Sequence, residues 1–109
     1  MSESNDQIEK TWNETDGAFD AAWAKCTKDE QRKDLTRSHN EARTAWMKAQ
    51  GKVFDENGPK VQETREKLKQ ANDDLVQAKE NLDDIIAFLK FAAAAVDLAT
   101  SLAGIAAMV

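Results

Sequence analysis

Few residues in this sequence could do bond-making chemistry. His39 is the only histidine, Cys26 the only cysteine, and there is no tyrosine. Cys26 and His39 stand 13 residues apart, more than three helical turns, so helical spacing brings together neither a Cys/His dyad nor a histidine metal cluster. His39 is expected at a helix seam, and Cys26 as a small core residue. The carboxylate pairs Asp73-Asp74 and Asp83-Asp84 suggest a divalent ion, but neighbours on a helix diverge by about 100°, so solvated faces explain them better. Trp12, Trp23 and Trp46 fall at packing positions and read as core and interface anchors. The sequence therefore names no catalytic, cofactor-binding or metal residue and predicts a protein that is not an enzyme.

What must position these side chains is helical. One proline and four glycines in 109 residues, with abundant Ala, Glu, Lys, Gln and Leu, leave little to break helices and much to make them. The strongest break is Asp55-Glu56-Asn57-Gly58-Pro59, where glycine admits a positive φ and proline can open a helix at its first turn. It predicts a single all-α domain over 1–109, a long antiparallel helical hairpin with arms over 5–54 and 60–108 and a turn at 55–59. Arms of about 50 residues would reach roughly 75 Å.

Spacing gives the arms a coiled-coil character. In the second, Val61, Leu68, Leu75, Leu82, Leu89, Val96 and Ala103 step by seven, and Thr64, Ala71, Ala78, Ile85, Ala92, Ala99 and Ala106 lie between them. In the first, Trp12, Phe19 and Cys26 step by seven, then Leu35, Ala42 and Ala49, but in a different phase. The apolar-free stretch Thr27–Asp34 lies between these runs, and Thr27 with Glu30 fits a capping box. A break near Thr27, giving three helices, competes there with one continuous helix. Ser4 with Gln7 is a similar start signal for the first helix. Folded at Asn57, the hairpin would set Trp46 opposite Leu68, His39 opposite Leu75, Trp23 opposite Phe91, Phe19 opposite Ala95 and Trp12 opposite Leu102.

The composition is uneven along the chain. Residues 85–109 hold 20 of the 45 hydrophobic residues and two of the 35 charges, Lys90 and Asp97. Apolar residues there occupy nearly every face, more than one partner helix can cover, as in a helix central to a bundle or in a membrane. The first expectation is that hairpins assemble into a helical bundle through this 85–109 segment, as a non-enzymatic structural or adaptor protein. It would form a homo-oligomer or pair with a helical protein, using Trp12, Phe19, Trp23, Phe88, Phe91, Leu98, Leu102 and Ile105. The alternative is a small membrane-inserting or pore-forming protein using residues 87–109; Asp97, the high Ala content and the lack of a basic flank count against it.

A net charge of −5 with bases scattered among acids argues against nucleic acid as a partner. The first 20 residues lack the pattern of a signal peptide, so the cytoplasm is the default expectation, with membrane association or leaderless export as alternatives. The acidic hairpin and Trp46 followed by Phe54 resemble, in outline, the small helical-hairpin proteins exported by bacterial type VII systems. Lys48 stands where that family has the glycine of its Trp-x-Gly turn, Trp46 precedes the turn, and there is no tyrosine, so the resemblance assigns no family.

Overall fold

A computed structural model describes residues 2–106. It is all-helical, with four helices: α1 (Glu3–Lys25), α2 (Asp29–Ala49), α3 (Pro59–Lys79) and α4 (Ile85–Ala106). Both long arms are therefore bent back on themselves, and the molecule is 42 Å long rather than a 75 Å hairpin. The three-helix alternative is right about the break near Thr27 and misses a second one at 80–84.

Local chemistry accounts for each boundary. Ser2 caps α1, its hydroxyl accepting from Asn5 N at 3.1 Å, while the expected cap Ser4 lies fully buried. At the first break the side chain of Gln31, not Glu30, reaches back, and its Oε1 accepts from Thr27 N (2.8 Å) and Lys28 N (3.1 Å). Gly51 turns the chain out of α2 with a φ of 73°, and Pro59 opens α3 at its first turn. At the second break Asp84 Oδ1 accepts from Ala87 N at 3.2 Å, capping α4. This break is silent in the heptad pattern, because Leu75 and Leu89 are both buried and stay in phase across the turn that holds Leu82.

The helices form a bundle in which α1 packs on α2, α3 and α4, and α4 packs on all three others. Among the described residues α2 and α3 do not touch. The expected pairs Trp46–Leu68 and His39–Leu75 therefore do not form. Instead α1 and α3 run side by side in parallel, tied by Thr11–Asn72, Glu14–Lys79 and Lys25–Asp83. The link 50–58 crosses the end of the bundle and is pinned to the start of α1, where Ser4 Oγ donates to Glu56 Oε2 (2.8 Å) and Asn5 Nδ2 to the Lys52 carbonyl (3.4 Å).

The two halves contribute unlike surfaces to the core. From α3 and α4 come Val61, Leu68, Leu75, Ile85, Phe88, Leu89, Val96 and Leu102, all buried. From α1 and α2 come Ile8 and Leu35 among Ser4, Thr11, Thr15, Ala18, Ala22, Ser38, Ala42, Ala45 and Ala49. Large side chains on one half thus fill the space left by small ones on the other, which lets the helices approach closely.

Candidate association surface

Helix α4 is where the sequence places its association segment. The helix divides by angle. Phe88, Leu102, Ala92, Ala95, Val96, Ala99 and Ala103 are fully buried against the other three helices. Of the predicted interface residues, Phe88 and Leu102 thus belong to the chain's own core and are not available to a partner. Phe91, Leu98 and Ile105 lie half-buried along one flank of α4, with Leu98 and Ile105 packed against the core. Ile105 also meets the link and the start of α3 in a pocket with Phe54, Pro59 and Val61. The last three residues of the expected 85–109 segment, and of the alternative 87–109 span, lie outside the described residues.

The outward side of α4 runs through Ile86, Lys90, Ala93, Ala94, Asp97, Thr100 and Ser101, all exposed. Ile86 is 70% exposed, and Lys90 and Asp97 are the only charges. Two charges among these seven residues are close to the 32% of the whole chain, so what sets this side apart is the exposed Ile86 beside the small Ala93 and Ala94. With apolar residues on nearly every face of this segment, spacing alone did not distinguish the exposed Ile86 from the buried Phe88 and Leu102.

The predicted aromatic residues of the first arm are brought together, though not with α4. Trp46, Trp12, His39, Phe19 and Trp23 form a row along the α1/α2 groove, with centroid separations of 6.1 Å (Trp46–Trp12), 5.0 Å (Trp12–His39), 4.5 Å (His39–Phe19) and 5.8 Å (Phe19–Trp23). Trp12, Phe19 and Trp46 are half-buried; Trp23 is 39% exposed and carries the Arg32 guanidinium 4.9 Å from its ring centroid. His39 Nε2 lies 2.9 Å from Asp16 Oδ1, an arrangement that fixes the ring in the row. These residues were legible as seam positions, and their partners were not, because the break near Thr27 folds α1 and α2 against each other.

The remaining polar groups act structurally. Thr11 Oγ1 donates to Asn72 Oδ1 (2.7 Å), and Asn72 Nδ2 donates to the Gln7 carbonyl (3.0 Å) and to Gln7 Oε1 (2.9 Å), which satisfies a fully buried amide. Burial pushes the Glu56 carboxyl up, but hydrogen bonds from Ser4 and Arg65 outweigh it and hold the group below the usual glutamate range. A hydrogen bond from Lys25 and its charge hold the exposed Asp83 below its ordinary value as well. Burial raises the Cys26 thiol, which keeps it protonated and unreactive at neutral pH. Among the described residues no three His, Cys, Asp or Glu side chains converge as a metal site. Comparison with family models, curated proteins and solved structures gives no match.

Proposed function

We propose that the chain is a non-enzymatic structural or adaptor protein that works by helix-to-helix association through the outward side of α4, pairing with a second copy or with a helix of another protein. The observation that carries this reading is Ile86 at 70% exposure on the outer side of α4, beside the small residues Ala93 and Ala94 that admit close approach and the half-buried flank of Phe91, Leu98 and Ile105. The sequence expectation is narrowed by it. Phe88 and Leu102 drop out, and Ile86, Ala93, Ala94 and the half-buried Phe91, Leu98 and Ile105 remain. Light scattering of the full chain tests it: wild type is expected above the monomer mass at micromolar concentration, and Ile86→Glu with Ala93→Glu is expected to lower that mass by half or more. A monomer at all concentrations, or an unchanged mass in the doubly substituted chain, overturns the self-association form.

A second reading is supported by one observation. Ile85–Ile105 is a 21-residue segment long and apolar enough to cross a bilayer by length and composition, and 44% of its residues are buried inside the bundle. Under this reading the apolar helix leaves the bundle and enters lipid. Flotation with phosphatidylcholine vesicles tests it, and a chain that stays with the aqueous fraction in the absence of detergent overturns it.

A further inference from the structure

The α1/α2 layer has its own unpartnered surface, distinct from α4. Two of the four large apolar side chains most exposed to solvent lie on it, Trp23 at one end (39%) and Met47 at the other (57%). Between them the layer is divided by charge. Helix α1 carries two bases against six acids, and Glu9, Asp16 and Asp20 lie along its outer edge beside the aromatic row. Helix α2 carries five bases against four acids; Arg32, Lys33 and Arg37 line a groove of about 650 Å³ with Trp23, Thr36, Asn40 and the acids Asp29 and Glu41, and Arg43 lies further along the same helix. Glu9, Asp20, Lys33 and Arg43 make no ion pair among the described residues, and Arg32 Nε is buried without an acceptor. An acidic ridge and a basic ridge thus run antiparallel, side by side, with an apolar residue at each end.

We infer that this layer docks on the same layer of a second copy of the chain. A two-fold axis parallel to the bundle lays each α1 on the partner copy's α2 at the same height, because rotation exchanges left and right but keeps level. The contacts Asp16–His39 and Trp23–Arg32 fix that level within one chain: residue 20 of α1 stands near residue 36 of α2, and residue 9 near residue 46. Each Asp20 then meets the neighbourhood of Lys33 and each Glu9 that of Arg43. Trp23 and Met47 close the two ends against water, with Trp23 and Arg32 the types that carry binding energy at interfaces. The occupant is a second copy because the acidic ridge and the basic ridge that complement each other are both on this chain.

The inference does not rest on α4, and the test is run in the Ile86→Glu, Ala93→Glu chain so that the α4 face contributes nothing. That chain is expected to form a dimer that weakens at least tenfold between 50 and 500 mM salt. Asp20→Lys alone, and Lys33→Glu alone, are each expected to be monomers with unchanged helical circular dichroism. Mixed together, they are expected to form a one-to-one heterodimer, because both symmetric contacts in the mixture again pair opposite charges. A background chain that is monomeric at 100 μM, single variants that still dimerise, or a mixture that fails to restore the dimer overturns the inference. A mass unchanged by Ile86→Glu with Ala93→Glu overturns the α4 reading and leaves this one standing.

Discussion

Asn72 shows how a single polar residue sets the relation of two helices. It sits fully buried between α1 and α3 in a core otherwise short of polar groups from α3, and its amide is matched by Thr11 and Gln7. Asn72→Ala leaves the Thr11 hydroxyl and the Gln7 groups without this partner and is expected to lower stability by about 1–3 kcal/mol, readable as a reduced urea midpoint with an unchanged slope. Glu56 sets the pH dependence. Because its carboxyl is held below its usual value in the folded chain, its contribution is present above the unfolded value near about 4.5 and is lost as pH falls through the folded value. The melting temperatures of wild type and Glu56→Gln are therefore expected to differ most near pH 7 and to converge as pH falls through the lowered folded value. A gap that widens in acid would show that the Ser4 and Arg65 contacts do not favour the carboxylate.

At the scale of elements, the alanines of α4 explain how one helix packs against three. Ala92, Ala95, Ala99 and Ala103 are fully buried, so neighbouring helices approach its backbone on several sides. Ala99→Leu adds a side chain where no space remains and is expected to destabilise by about 1–3 kcal/mol, whereas Ala93→Leu, on the exposed side, is expected to be near neutral. Thermal unfolding of the two variants separates the buried side of α4 from its free side. The turn before α4 depends on its cap: Asp84→Ala removes the acceptor for Ala87 N and is expected to lower stability by about 1 kcal/mol.

At the scale of the whole molecule, the bundle is built from unequal halves. The large apolar side chains come from α3 and α4, and α1 with α2 supplies small and hydroxyl residues that receive them, while its own aromatic residues cover the seam between those two helices. Phe88→Ala removes the largest fully buried side chain and is expected to cost about 3–5 kcal/mol in chemical denaturation. The same asymmetry explains the composition shift near Ile85: it marks a helix packed against all three others in the chain's own fold, in addition to the surface proposed for partners.

Much of this was present in the sequence alone. Helical content follows from propensity and scarce breakers, the break near Thr27 from a stretch without apolar residues, and the start of α3 from Gly58-Pro59, because each is a local matter of backbone preference. The heptads also picked out buried positions correctly, Val61, Leu68, Leu75, Leu89 and Val96 among them. What they did not contain was how many helices those positions served. A turn of five residues at 80–84 that preserves the heptad phase leaves the pattern of a straight helix intact, so only tertiary packing decided that α4 folds back on α3. That reversal gives Phe88 and Leu102 an internal partner and leaves Ile86 outside, while the fold-back near Thr27 turns the first arm's aromatics toward one another, since burial depends on which surfaces meet and not on the order in which they are spaced.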